Sequence, residues 1–217
     1  MPLQIIRIAI AEDQLVFRQC ILTILNEMND EHFIFQIVLE ATDGNELLAG
    51  LKTIDVPDVC TLDISMEGKN GYDTLKELKV LYPGLPVLIF SQHYSDFPVK
   101  EMLKAGAFGF IPKNIDGAEL KEALITIYKT GVYHPKSILH LVQKARQEKA
   151  ILTEKEMHHL KIFNSDKSYK EIGAILHVSD RTVQDYGDNL FDKLPLKKRC
   201  REALMIFAAK MGLIPYE

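Results

Sequence analysis

The 217-residue chain is short of several features that would each have directed its reading elsewhere. No apolar run approaches the ~20 residues that cross a bilayer. The N-terminus lacks the charged segment and cleavable apolar stretch of a secretory leader. Membrane partners are therefore not expected, and the expected location is the cytoplasm. Cysteine is scarce, with Cys20, Cys60 and Cys200 far apart and odd in number. Buried free thiols in a reducing compartment fit that pattern best, and the alternative is a redox pair, which needs two of the three to be close in space. A strong excess of positive charge is missing as well. Residues 151–217 hold 11 Lys+Arg against 10 Asp+Glu, and the remainder 15 against 20, so the second part is only faintly basic.

What is present is a regular alternation. Apolar runs at Ile5–Ala11, Phe35–Ala41, Val59–Leu62, Pro86–Phe90 and Gly109–Ile111 read as buried strands. Amphipathic segments follow each of them: Leu15–Met28, a short helix through Leu51, Gly71–Tyr82, Val99–Lys104 and Gly117–Lys129. In the first of these Leu15, Cys20, Ile21, Ile24, Leu25 and Met28 share a stripe. Five strands alternating with five helices define an α/β domain with a parallel sheet covered on both faces. Right-handed crossovers place every strand's carboxyl end on one edge, where ligands bind.

The residues at that edge carry the chemistry. Pro57–Gly71 ends a strand at Asp63 and continues as a Gly-containing polar loop. The first strand ends at Glu12-Asp13, the fourth at Ser91 and the fifth at Pro112-Lys113. A lone aspartate after a strand is usually a turn or a cap. In the strand order 2-1-3-4-5 the first and third strands are neighbours, so three carboxylates converge. They cannot all stay ionised without a cation among them. Mg²⁺ suits such a site, since it takes one or two carboxylates, keeps waters and completes its shell with phosphate oxygens. With Lys113 and the Ser91 hydroxyl beside it, Asp63 is placed as a nucleophile toward phosphorus.

On these residues, 4–130 resemble the receiver domain of two-component response regulators. The resemblance implies a flavodoxin-like sheet of order 2-1-3-4-5 and a phosphoacceptor at Asp63. It implies metal ligands at Glu12, Asp13, Asp63 and the Ser65 backbone carbonyl, with Ser91 and Lys113 contacting the phosphoryl group. Ser91 and Phe110 match the family's switch pair, Phe110 turning inward on phosphorylation. A histidine kinase is the implied phosphodonor. A phosphorylation-dependent homodimer is implied as well, on the face of the fourth helix, fifth strand and fifth helix. Glu67 departs from the family's usual proline, and Gln92 is larger than the small residue many receivers carry there.

Residues 131–150 are of mixed character and read as an exposed, proteolysable linker with a helix over Ser137–Glu148. The remaining part, 151–217, is all-helical. Thr153…Glu156 and Ser168…Glu171 are capping boxes, Ser179 is a third N-cap, and Arg199–Met211 closed by Gly212 is a last helix. Ile172, Ile175, Leu176, Val183, Leu190 and Leu194 are expected to face inward, around a tight joint at His177-Val178-Ser179 that makes a helix-turn-helix. Leu152-Thr153-Glu154, Lys170-Glu171-Ile172-Gly173, Leu176-His177-Val178-Ser179 and Thr182-Val183 resemble the LuxR-type DNA-binding domain of NarL/FixJ-class regulators. The resemblance implies DNA contacts from Arg181, Thr182, Gln184, Asp185, Asp188, Lys193 and Lys197.

That helix is unusual in its charge. Asp185, Asp188 and Asp192 fall on one face, where they repel phosphates. The backbone grip is then left to Arg181, Lys193, Lys197, Lys198 and Arg199. Two other readings stay open: a phospho-switched protein-interaction module with a degenerate DNA helix, and an aspartyl-phosphate hydrolase. The hydrolase normally wants a second acid where Ser65 stands. His158-His159 and the aromatics Phe33, Phe35, Tyr128 and Tyr133 read as structural.

Overall fold

A computed structural model describes residues 2–92, 96–147, 152–210 and 213. Five parallel strands, β1 (Gln4–Ala11), β2 (Phe33–Ala41), β3 (Val59–Asp63), β4 (Val87–Ser91) and β5 (Gly109–Pro112), form one sheet in the order β2-β1-β3-β4-β5. The expected order is the observed one. Every residue of β3 and of β4 is buried, as continuous apolar strands covered on both faces require.

Alternation along the strands divides the apolar residues between two layers. Ala9, Ala11, Cys60, Leu62, Val87, Ile89 and Phe110 meet α2 (Gly44–Gly50), α3 (Gly71–Leu81) and α4 (Asp96–Lys104). Ile8, Ile10, Val59, Leu88, Phe90 and Ile111 meet α1 (Leu15–Glu27) and α5 (Gly117–Thr130), together with Phe33, Phe35, Tyr128 and Tyr133 as packing aromatics. The stripe on α1 is narrower than its pattern suggested. Ile21 and Leu25 are buried, but Leu15 is 56% exposed and Cys20 is exposed. Of the three thiols only Cys60 is fully buried, and burial pushes it up to about 12; Cys200 is partly exposed. α4 begins three residues earlier than expected.

The connector is not the exposed strap its polarity suggested. After α5 ends at Gly131 in a left-handed cap, the Tyr133 N–H donates to the Phe108 carbonyl at 3.2 Å, forming a bridge along the free edge of β5. Gly109 makes this approach possible, because a Cβ there would lie 2.6 Å from the Tyr133 carbonyl oxygen. A 3₁₀ turn over Lys136–Ile138 leads into α6 (Leu139–Gln147), which packs on α4. Ile138, Leu141 and Val142 are buried in the same cluster as Val99 and Met102. Glu148, the expected end of this helix, lies outside the described residues. The α4 part of the expected dimerisation face is thus covered by the chain itself.

The second unit holds α7 (Glu154–Phe163), α8 (Tyr169–Leu176), α9 (Asp180–Lys193) and α10 (Arg201–Lys210). Both expected capping boxes are formed, and the Ser179 side chain accepts from the Thr182 N–H. Met157, Leu160, Phe163, Ile172, Val183, Leu190, Leu194 and Leu204 fill the core. Leu176 packs against it partly buried, whereas Ile175 is 49% exposed and does not face inward. At the α8–α9 joint His177 takes φ 55°, and the Val178 N–H returns to the Gly173 carbonyl at 2.9 Å. A Cβ on Gly173 would stand 2.7 Å from the Val178 carbonyl oxygen, so the tight turn needs glycine there. The expected helix end at Met211-Gly212 lies outside the described residues. Among the described residues, ion pairs between the units include Lys76 with Glu154 at 2.8 Å and Asp73 with Lys161.

Leu141 tests the packing of the connector. Truncating a buried leucine costs about 2–5 kcal/mol. If that loss falls on α6, Leu141→Ala should raise the rate of limited proteolysis within residues 139–147 by roughly 10-fold or more. Equal cutting rates in the parent and the variant would show that α6 is not held on α4.

Candidate functional site

The carboxyl edge of the sheet brings together the acids that the strand pattern pointed to. Glu12 and Asp13 follow β1, and the Glu12 N–H is held by the Ala41 carbonyl at 3.0 Å. Asp63 is the last residue of β3, beside β1 in the sheet. One ligand atom from each of Glu12, Asp13 and Asp63 lies within 4.8 Å of the others. Glu12 is 1% and Asp63 3% exposed, so both carboxylates are removed from water.

Lys113 enters from the end of β5. Its N–H donates to the Ser91 carbonyl at 3.0 Å, which ties it to the end of β4. Its Nζ lies 2.8 Å from Glu12 Oε1 and 2.9 Å from Asp63 Oδ2. The ammonium also sits 4.5 Å from the centre of the Phe17 ring, which closes one side of it. Phe17 and Arg18, whose guanidinium donates to the Glu12 carbonyl at 2.6 Å, were not among the expected site residues. Both come from the first turns of α1, and only their nearness to the acidic pair marked them.

Electrostatically the site is short of positive charge. Burial and the neighbouring Asp63 push the Glu12 carboxyl up to about 7, against the pull of Lys113. Asp63 is raised too, by burial, while Lys113 and the Ser65 N–H hold it down. The Glu67 N–H donates to Asp13 Oδ2 at 3.0 Å, but the buried Asp13 Oδ1 has no hydrogen-bond partner among the described residues. An unpartnered buried carboxylate oxygen, aimed at a cluster of oxygens, fits a hard divalent cation.

The loop after β3 is fixed by α3. The Gly71 N–H donates to the Ile64 carbonyl at 2.9 Å, and Asn70 caps the helix by accepting from the Asp73 N–H. A Cβ on Gly71 would fall 2.0 Å from the Asp63 carbonyl oxygen, so only glycine lets α3 start this close to the acid. Ser65 is partly buried in that loop. Ser91 is 2% exposed, one residue past the Asp63–Phe90 pair of the β3–β4 ladder. Phe110 is fully buried, packed in the α2–α3–α4 layer.

In the second unit Arg181, Gln184, Asp185, Asp188, Lys193 and Lys197 are exposed, and Thr182 is partly buried against the Ser179 hydroxyl at 2.9 Å. Two of the cations expected to grip a nucleic-acid backbone are otherwise engaged. Lys193 pairs with Glu156 at 2.7 Å, and Arg199 with Asp192 at 2.5 Å. His159 is buried and stacks on Tyr186 with ring centres 3.9 Å apart, a packing role.

A parallel sheet of this order with acids and a lysine at its carboxyl edge, joined to a helix-turn-helix unit, defines a two-part signalling regulator. Comparison with known proteins makes this specific. Residues 8–125 match the response regulator receiver domain, and residues 150–206 match the luxR family of bacterial regulatory proteins. The chain is 30% identical to the transcriptional regulatory protein DegU of Brevibacillus brevis, covering 89% of each chain. It is 32% identical to the transcriptional regulatory protein UhpA of Escherichia coli K12, over 93% of this chain and 98% of that one. Among solved structures, RcsB of Salmonella enterica serovar Typhimurium, bound to a promoter with the phosphomimetic BeF3-, has a TM-score of 0.67 at 22% identity. That match covers 94% of this chain and 98% of RcsB, and it shows a common fold. The chain belongs to the response regulators that carry a receiver and a luxR-type domain. No helix among the described residues is long and apolar enough to cross a membrane.

The raised Glu12 carboxyl sets a pH dependence opposite to that of a salt-bridged acid. Its folded-state value lies above its unfolded one, so its contribution is intact below the unfolded value of 4.5 and is lost as pH rises through about 7. In chelator, the urea midpoint should fall as pH rises from 4.5 to about 7, and Glu12→Gln should flatten that fall. A midpoint that rises across this range in the parent protein would contradict the assignment.

Proposed function

We propose that this response regulator is phosphorylated on Asp63 by a histidine kinase and that the modification controls DNA binding by the luxR-type domain. The observation that carries the reading is the convergence of Glu12, Asp13 and Asp63 at the sheet's carboxyl edge, with Lys113 paired to Glu12 and Asp63. A carboxylate oxygen of Asp63 attacks phosphorus, the new O–P bond forms, and the P–N bond to the donor imidazole breaks. The imidazole leaves with the electron pair and takes up a proton. Lys113 holds its positive charge beside Asp63, whose carboxylate gives up its negative charge as the O–P bond forms, and the Ser91 hydroxyl and Lys113 then face the phosphoryl oxygens. Glu12, Asp13, Asp63 and the Ser65 carbonyl would hold Mg²⁺, which neutralises charge on the transferring group. Ser91 acts as the mobile half of the switch. Phe110 is buried in the unmodified chain and keeps its place.

The phosphorylated chain acts on DNA as a homodimer. Dimerisation through α4, β5 and α5 requires α6 to leave α4, because Leu141 and Val142 occupy that face. The receiver modifies itself and stops, which distinguishes it from an aspartyl-phosphate hydrolase that turns over phosphoesters. The protein-interaction reading draws on the acidic face of α9.

Intact mass spectrometry with acetyl phosphate tests the site. One phosphoryl group should be added in Mg²⁺ and none in chelator, and Asp63→Asn should remove the labelling. Labelling that persists in Asp63→Asn, or that ignores chelator, would place the phosphoacceptor elsewhere.

A further inference from the structure

Helix α9 presents Arg181, Gln184, Asp185, Asp188 and Asp192 at spacings of three and four, which is one stripe of a helix. The stripe is divided by what its members touch. Asp192 Oδ1 accepts from Arg199 at 2.5 Å, and Asp188 lies 3.7 Å from the same guanidinium. Arg199 comes from the segment between α9 and α10, and it also rests 5.5 Å from the centre of the Phe191 ring. On the flank of the stripe Asn189 and Lys193 both donate to Glu156 of α7, at 2.6 and 2.7 Å. The C-terminal half of α9 is therefore tied into the domain. In the N-terminal half the side chains of Arg181, Gln184 and Asp185 are exposed and have no hydrogen bond or ion pair among the described residues.

Resting on the DNA-binding reading, we infer that base selection belongs to Gln184 and Asp185, and that Arg199 is a positioning residue that neutralises the acidic half of α9. The chemistry of the two free side chains names their targets. A glutamine amide pairs in two-point fashion with adenine N6 and N7, and a carboxylate accepts from the cytosine N4 amino group. Asp185 repels phosphate but suits a cytosine edge, so its charge becomes a source of selectivity once no phosphate lies opposite. Asp188 and Asp192 have no such target, because their oxygens already face Arg199. One guanidinium between two carboxylates leaves a net charge of −1 in place of −2 on the part of the helix that must pass the backbone. Arg181, Lys197 and Lys198 supply the phosphate contacts, which position the helix without reading sequence.

The test is selection of duplexes from a random library by the full chain carrying beryllofluoride, followed by affinity measurements at two salt concentrations. The parent protein should select half-sites with an adenine and a cytosine at fixed positions. Asp185→Ala should relax the cytosine position alone, by roughly 5- to 100-fold, as loss of one base contact does. Asp188→Ala should leave the preferred bases unchanged. Arg199→Ala should weaken binding to selected and random duplex by the same factor, with a smaller loss at higher salt. Arg199→Lys, which keeps the charge, should recover part of the affinity. Thermal melts of each variant separate these effects from unfolding. A changed base preference in Asp188→Ala or Arg199→Ala, or an unchanged one in Asp185→Ala, overturns the inference and leaves the DNA reading standing. Selection of no sequence by the parent protein overturns the DNA reading, and this inference falls with it.

Discussion

One buried cation holds the receiver's chemistry together. Lys113 lies within 2.9 Å of both Glu12 and Asp63, and all three side chains are nearly out of contact with water. Two ionised carboxylates at that depth are costly, and removing the partner of a buried ion leaves its charge uncompensated. Burial pushes the Glu12 and Asp63 carboxyls up, and the ammonium of Lys113 pulls against that push. The proposed divalent cation, and a phosphoryl group delivered with it, would act on carboxylates in that condition. The backbone enforces the arrangement. Glu12 and Asp63 are fixed by adjacent strands, Lys113 by its hydrogen bond to Ser91, and neither can move apart without breaking the sheet.

The same edge reaches outward through the first turn of α3. Gly71 lets the helix start against the Asp63 backbone, Asn70 caps it through the Asp73 N–H, and Asp73 pairs with Lys161 on α7. Ion pairs that keep this much contact with solvent are worth roughly 0–1 kcal/mol each. Asp73–Lys161 and Lys76–Glu154 therefore orient α7 more than they anchor it. The connector is different in kind, since Ile138, Leu141 and Val142 are buried apolar side chains. Its hold on α4 is the stronger of the two links between the halves.

Much of this was legible in the sequence, for a definite reason. Glu12, Asp63, Ser91 and Lys113 each end a continuous apolar strand, and a parallel sheet sends all such ends to one edge. Thr153 and Ser168 were legible because a capping box is complete within four residues. What failed depended on partners far away in the chain. Cys20 and Leu15 match a helical stripe, but α1 buries only the part that Ile21 and Leu25 occupy. The connector looked polar because its buried Pro135, Ile138, Leu141 and Val142 are flanked by exposed residues, and α4 as a partner is not a local property. Phe110 could be placed on β5, yet its depth follows from α4 and α6 closing over that layer. Nor did the acidic face of α9 announce that Arg199, seven residues past Asp192, would lie against it.

The two halves solve one electrostatic problem at different depths. In the receiver a lysine stands among carboxylates that are buried, where the low dielectric makes the interaction strong and ties it to protonation. In α9 an arginine stands between Asp188 and Asp192 in the open, with all three side chains more than half exposed. There the attraction is weak and screened by salt. On the proposed phosphorylation of Asp63, the charge added to the buried cluster would be answered by movement of Lys113 or Ser91. The exposed cluster cannot act as a switch of that kind. Its part is passive: a guanidinium planted between two aspartates lowers the negative charge of one half of a helix, and so leaves the other half to discriminate among bases.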